Sequence, residues 1–354
     1  MRSIGLKTLL GTAAILLTAG GAQAGAISAN PNPISFDAGF GKIGVGGEVS
    51  GLAFYQSNPQ QASRGDNETS FDADNAMITV QKTDGMFQFY VQAGLYSFPT
   101  VGQPYVKAND TNSATLGAVP VAYGKLQLSD SFSVEAGKLP TLIGAELAFT
   151  PQNANIERGL LWWQEPIVSR GVQANYASGP LSVSVSWNDG YYTNLWNTFS
   201  GLASYAIDSS NTIAFDASVT SDTHLSLGHQ IYNVIYTYNS GPLSFGPYLQ
   251  YENYDHGGGS EWGLGALASY QFTPLYSVNG RVEYEDSSGA GSPFSYGPKS
   301  SAWSVTVTPT WQKSLFFIRG ELSYVGLSKQ TFGFGTSGTK SEQFRALLET
   351  GIVF

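Results

Sequence analysis

Residues Leu181 to Asn188 alternate without interruption. Leu181, Val183, Val185 and Trp187 take one parity, and Ser182, Ser184, Ser186 and Asn188 the other. The same period of two returns along the chain. Phe87, Phe89, Val91, Ala93 and Leu95 oppose Gln88, Tyr90, Gln92 and Gly94. Trp262, Leu264, Ala266, Ala268, Tyr270 and Phe272 share one face. Trp303, Val305, Val307, Pro309 and Trp311 interleave with Ser304, Thr306, Thr308 and Thr310. A period of two with one apolar face is a half-buried strand. Runs of roughly ten residues have the length a tilted strand needs to cross a bilayer. The pattern predicts about sixteen strands over 43–56, 75–82, 86–97, 119–129, 132–138, 169–177, 181–188, 199–208, 211–220, 230–239, 242–252, 261–272, 275–285, 301–312, 315–325 and 342–354.

The connections fall into two alternating classes. Tight ones include Thr83-Asp84-Gly85, Ser129-Asp130-Ser131, Ser178-Gly179-Pro180, Ser240-Gly241-Pro242 and Lys313-Ser314. Long ones fall near 57–74, 98–118, 139–168, 189–198, 221–229, 253–260, 286–300 and 326–341. This asymmetry predicts an all-β, transmembrane, antiparallel up-and-down barrel, with tight periplasmic turns and long external loops. "SGPLSV" at 178–183 and "SGPLSF" at 240–245 reuse one hairpin solution. Phe344, Ala346, Leu348, Thr350, Ile352 and Phe354 share a face of the last strand. The terminal Phe354 resembles the signal read by the bacterial barrel-assembly machinery.

Composition sharpens the compartment. Arg2 and Lys7, the apolar stretch Leu9 to Leu17 and Ala22-Gln23-Ala24 form a secretory leader expected over 1–24. A lead segment, 25–42, and a barrel, 43–354, follow. The absence of cysteine excludes a disulfide framework and thiolate metal sites. The formal charge of −9 becomes −11 once Arg2 and Lys7 leave with the leader. That balance argues against nucleic acid and favours cations as solutes. Expected partners are outer-membrane lipid, lipopolysaccharide, the assembly machinery and small hydrophilic solutes; oligomers are compatible, and no cofactor is expected.

In such a barrel, charged residues belong on the luminal parity. Glu135, Arg281, Glu283, Glu285, Arg319, Glu321, Arg345 and Glu349 all satisfy this. They are expected as lumen wall, either as an inert polar or ion-paired lining or in contact with solute. A sixteen-stranded barrel is too wide for strand side chains to fill, so selectivity is expected at its narrowest point.

The longest connection, 139–168, is the expected constriction. Thr150 suits a helix N-cap, Pro151 the first turn, Arg158 the last turn and Gly159 the C-terminal cap, which predicts a short helix over 151–158. Leu160-Leu161-Trp162-Trp163 follows. Folded inward, this patch would anchor the segment and present Glu146, Glu157, Arg158 and Glu165 to the channel. The alternative is a further lipid-facing strand, which Pro166 interrupts.

"AGKLPTLIGAELAFTPQNANIERGLLWWQEPIVSRGVQANY", 136–176, resembles the OmpL-like putative beta-barrel porin family. It shares a strand ending in A-G-K, Ile143-Gly144 with Glu146, Pro151 with Asn155 and Arg158, the apolar run, Glu165-Pro166 and Gly171-Val172. The resemblance implies an outer-membrane porin-type barrel and no catalytic residues. A plugged structural or adhesive barrel without substantial conductance is the alternative.

Other motifs carry less. Gly39-Phe40-Gly41-Lys42-Ile43-Gly44 fits G-x-G-x-x-G but follows no buried strand and opens no helix. His224, His229 and His256 fall in expected external loops without metal-ligand spacing, and none sits beside a serine on a strand as a hydrolase requires. Asp66, Glu68, Asp72 and Asp74 are expected as an acidic external loop, either solvated or bridging divalent cations.

Overall fold

The computed structural model describes residues 26–354 apart from 31, 61–65, 222–227 and 290–294. The expected leader and His224 lie outside the described residues. The strands are β1 (Ile34–Asp37), β2 (Lys42–Gln56), β3 (Thr69–Lys82), β4 (Phe87–Tyr96), β5 (Val121–Gln127), β6 (Phe132–Pro140), β7 (Val168–Ser178), β8 (Leu181–Asn188), β9 (Thr198–Ala206), β10 (Asn211–Thr220), β11 (His229–Ser240), β12 (Leu243–Tyr254), β13 (Gly259–Thr273), β14 (Tyr276–Ser288), β15 (Ser301–Lys313), β16 (Phe316–Lys329) and β17 (Glu342–Val353). Each of β2 to β16 pairs antiparallel with the next, and β17 pairs with β2. Sixteen strands therefore close on themselves, which leaves no free edge.

The two parities separate as the alternation predicts. Trp262, Leu264, Tyr270 and Phe272 of β13 point outward and are exposed, as are Trp303, Val305 and Val307 of β15. Ser304, Thr306, Thr308 and Thr310 point inward and are buried. No helix among the described residues is long and apolar enough to cross a membrane.

Closure involves the chain ends. The Phe354 amide donates to the Gly47 carbonyl and the Gly47 amide to the Phe354 carbonyl, both at 2.9 Å. A Cβ on Gly47 would lie 2.6 Å from the Phe354 ring, so glycine lets the terminal aromatic lie on the wall. Where β17 stops, β1 continues the pairing on β2, with Ile34 opposite Val45. Part of the 25–42 segment is therefore a short strand. Ahead of it, Ile27 is buried with Phe317 and Val353 and donates its amide to the Pro151 carbonyl at 3.2 Å.

Three local readings change. β3 starts at Thr69, so Asp72 and Asp74 lie on a strand. Asp72 accepts from the Tyr105 hydroxyl and the Ala108 amide, and Asp74 from Ser97. Asp66 is buried and accepts from Gln56, the Gln60 amide and the Tyr105 amide. These carboxylates hold the loop above them instead of forming a loose acidic surface. Among the described residues no group of His, Asp or Glu is arranged to hold a metal ion. A helix α1 (Ala108–Ala114), with no apolar stripe to betray it, sits in the second long connection, where Asn112 donates to the Gly94 carbonyl. His229, expected in a loop, opens β11; it is buried, pairs with Glu252 at 3.2 Å and stacks on Tyr254.

The barrel predicts a depth-dependent cost for outward charge. Val282→Arg, mid-strand on the outer face of β14, should destabilise the barrel by about 2–4 kcal/mol, and Phe316→Arg at a strand end by about 0–1 kcal/mol. Denaturant unfolding of the refolded protein in lipid reads the difference; equal costs would contradict the orientation.

Candidate functional site: the inward segment of the barrel lumen

The chain between Pro140 and Val168 folds into the lumen, where no ladder is available to its backbone. Buried peptide groups must still find partners. The barrel wall supplies them as charged side chains. Glu283 accepts the Leu160 amide at 2.9 Å and the Leu161 amide at 3.3 Å. Glu321 accepts the Ile156 amide at 2.6 Å and the Glu157 amide at 2.9 Å. Arg319 donates to the carbonyls of Asn153 (2.8 Å) and Thr150 (3.2 Å) while paired with Glu349. Arg281 donates to the Glu157 carbonyl and to Glu146, each at 2.7 Å, and pairs with Glu283 at 3.1 Å. Asn279 reaches the Ala154 carbonyl at 2.9 Å and Gln250 the Leu161 carbonyl at 3.1 Å. Hydrogen bonds to charged groups contribute about 1.5–3 kcal/mol each, so this set fixes the path of the segment.

The same bonds change the expected helix over 151–158 into two short 3-10 turns, Thr150–Gln152 and Leu161–Gln164. Amides that would close helical turns are engaged elsewhere: those of Ile156 and Glu157 by Glu321, that of Arg158 by the Pro99 carbonyl. Asn153 ties the preceding bend, donating to the carbonyls of Leu147 and Phe149.

A second connection folds in with the first. Val101 donates its amide to the Arg158 carbonyl at 2.9 Å, and Thr100 and Arg158 form a parallel bridge. Arg345 donates to the Thr100 and Gln103 carbonyls and pairs with Glu157 at 2.6 Å. No sequence signal joined 98–105 to 139–168, because the contact spans two loops without periodicity.

The apolar run divides. Leu160 is buried with Val101, Tyr296, Phe334 and Leu327, and Leu161 with Ile143, Ile231 and Tyr248. A Cβ on Gly263 would come within 2.2 Å of Leu161, so β13 carries glycine where the leucine seats. Trp162 is buried and, with Phe98, flanks the Arg158 guanidinium at 5.4 and 5.7 Å. Trp163 departs from the expected anchor: it is 48% exposed. The patch is not a lipid-facing strand.

The expected constriction residues occupy different settings. Glu146, Glu157 and Arg158 are buried and bonded. Arg158 donates to Thr150 at 2.7 Å and to the Ser97 carbonyl at 3.0 Å, and burial pushes it down to about 10 against the pull of nearby carboxylates. Glu165 is buried with no donor on its Oε2. Burial, reinforced by Asp216, Glu146, Glu252 and Glu283, holds its carboxyl well above the ordinary range. On the wall, Glu135 pairs with Lys125 at 3.4 Å, away from the segment. Sequence reasoning missed Asp216, Glu252 and Glu261 on the luminal face, although each has the luminal parity of its strand. Gln164 and Gln250 carried no such mark.

The inner faces are unevenly covered. Every luminal side chain of β14 from Ser277 to Ser287 and of β16 from Phe317 to Val325 is buried, mid-strand by the segment and at Ser287 and Phe317 by the Gly297–Ser300 loop and by Ile27. Gln88, Lys125, Asn175 and Ser204, toward the tight-turn end on the opposite side, keep partial exposure. A pocket lies between, lined by Tyr90, Gln92, Tyr123, Phe149 and Gln152.

A model of the family described as putative beta-barrel porin-2, OmpL-like, matches residues 42–354. No curated protein sequence gives a significant match. Among solved structures, OmpF of Salmonella typhi in complex with daunomycin aligns with a TM-score of 0.63 at 11% identity, covering 91% of this chain and 100% of that one. OmpT of Vibrio cholerae aligns with a TM-score of 0.61 at 10% identity, covering 91% and 100%. The anion-selective porin of Comamonas acidovorans aligns with a TM-score of 0.60 at 11% identity, covering 88% and 99%. At these identities the likeness is one of fold.

Arg281→Ala leaves Glu146 and Glu283 buried without their counter-ion, at a cost of about 3–5 kcal/mol. The unfolding midpoint should fall and the segment loosen, so that trypsin cleaves after Arg158, which the parent shields. An unchanged midpoint with Arg158 still protected would contradict the anchoring role.

Proposed function

The chain belongs to the putative beta-barrel porin-2, OmpL-like family, an outer-membrane porin assignment from which we propose that it passes small hydrophilic solutes by diffusion, with a preference for cations. The observation that carries this reading is the inward segment. It is bonded along its length to β14–β17, so the path for solute runs along the less covered wall of β4–β9. Low-dielectric walls focus the field of the charges between them. The luminal arginines are already engaged by carboxylates and carbonyls. Glu165, Glu252, Glu261 and Glu285 have no arginine or lysine partner, so this side of the lumen offers a solute carboxyl oxygens and no competing fixed cation. In this reading Glu146, Glu157 and Arg158 set the position of the constriction, and Glu165 faces the solute side.

A second reading, a plugged structural or adhesive barrel, is favoured by the complete burial of the luminal faces of β14 and β16. Deleting 151–165 separates the two. The porin reading expects discrete conductance steps from the refolded parent in planar bilayers, and larger steps from the deletion variant. A plugged barrel expects none from the parent and some from the variant. Heat-modifiable migration on gels confirms that each barrel is folded.

Cation preference has its own measurement. Under a potassium chloride gradient, the reversal potential should take the sign of potassium permeation and move toward zero in Glu252→Gln/Glu285→Gln. A reversal potential of chloride sign would remove the preference while leaving the porin reading in place.

A further inference from the structure

Where the segment turns back toward β7, the lumen has acceptors and lacks donors. Glu165 has no donor on its Oε2. The Gln250 amide nitrogen is spent on Glu252 (2.9 Å) and the Leu161 carbonyl (3.1 Å), and its Oε1 is buried without a partner. Gln164 repeats the arrangement: its nitrogen donates to Glu261 and, at 3.3 Å, to Glu285, and its Oε1 is buried and unpartnered. The orientation of both amides follows from these bonds, since reversal would set carbonyl oxygen against carboxylate. Two neutral amide oxygens, on side chains each more than nine-tenths buried, are therefore left without a donor beside carboxyl groups.

Such a set is costly unless donors arrive. A buried acceptor left unmade costs about 1–3 kcal/mol, and more when charged. Asp216, Glu146, Glu252 and Glu283 reinforce the effect of burial on Glu165. On the wall, Arg281 is committed to Glu146, the Glu157 carbonyl and Glu283. His229 pairs with Glu252 at 3.2 Å and stacks on Tyr254 at 4.1 Å between ring centroids. The described carboxylates and histidine are not grouped as metal ligands. Acceptors spread over several side chains suit a cation with several N–H groups pointing in different directions, and aromatic faces nearby favour a flat or alkyl-bearing one.

We propose that Gln164, Glu165, Gln250, Glu252, Glu261 and Glu285 form a luminal binding site for an organic cation rich in N–H donors, a guanidinium or primary ammonium. The site deepens the porin reading and rests on it only for how the cation arrives. The bound cation supplies donors to the amide oxygens and positive charge to the carboxylates, so entry favours amines over quaternary ions of equal charge.

The test uses the refolded full barrel in detergent micelles, with agmatine, choline and sodium as chloride salts at equal ionic strength. Agmatine should raise the unfolding temperature by several degrees; choline, which has no N–H, and sodium should not. Glu165→Gln should weaken the agmatine effect by about tenfold or more in concentration. Glu285→Gln serves the same purpose should the first variant fail to refold. Equal shifts with all three salts, or an undiminished shift in the variants, would overturn the site. Planar-bilayer recording keeps the readings apart. A barrel that conducts without responding to agmatine refutes the site alone. One that binds agmatine without conducting refutes the diffusion path and leaves the site standing.

Discussion

An irregular backbone inside a barrel has to be bonded by side chains, because the strands around it have already spent their own peptide groups on each other. That constraint organises this protein. Glu283 and Glu321 each chelate two successive amides of the inward segment, Arg281 and Arg319 cover its carbonyls, and Arg345 covers the Thr100 carbonyl of the connection folded against it. Carboxylates and guanidinium groups do this better than neutral side chains, since each presents several strong acceptors or donors in a fixed fork. The arginines also pair with Glu146, Glu157 and Glu349, so neither the backbone nor the charges remain uncompensated.

The arrangement gives the lumen two sides. On β14–β17, Arg281, Glu283, Arg319 and Glu321 are consumed in holding the segment. On β10–β13, Asp216 accepts from Asn233 and the Gly144 amide, Glu252 from Gln250 and Glu261 from Gln164, and none of the three pairs with an arginine or lysine. The segment thus divides the luminal carboxylates into those that bond its backbone and those that do not. Apolar seating sharpens the geometry: Leu161 enters the gap left by Gly263, and Leu160 packs under Tyr296 and Phe334 from two further loops. The N-terminal lead adds a contact from the tight-turn end, where Ile27 meets Pro151 and Phe317.

Much of the barrel was legible in the sequence because its physics is periodic. A strand with lipid outside and polar groups inside must alternate, and all sixteen barrel strands were placed to within a few residues at most ends. β3 was the main exception: Asp72 and Asp74 look like loop residues, yet they extend the strand because Tyr105, Ala108 and Ser97 return to bind them. The candidate site was legible in its residues and not in their partners. Arg281, Glu283, Arg319, Glu321 and Arg345 were recognisable as luminal from parity alone, but a wall charge that lines a channel and one that bonds a loop have the same parity. Trp163 and Trp162 are adjacent and chemically alike, and only the turn of the backbone buries one and exposes the other.

The sequence by itself determined the barrel strands, their outward and inward faces and the one connection long enough to fill the lumen, because strand period and turn length are local properties. The tertiary structure alone decided what that connection does inside. Its short turns replace a helix because Glu321 and Pro99, distant in sequence, take the amides a helix would use. Two amide oxygens inside the barrel lack donors because Gln164 and Gln250, eighty-six positions apart, spend their amide nitrogens on neighbouring carboxylates. Both outcomes depend on where the polar groups of separate strands meet, and no periodicity along the chain encodes that.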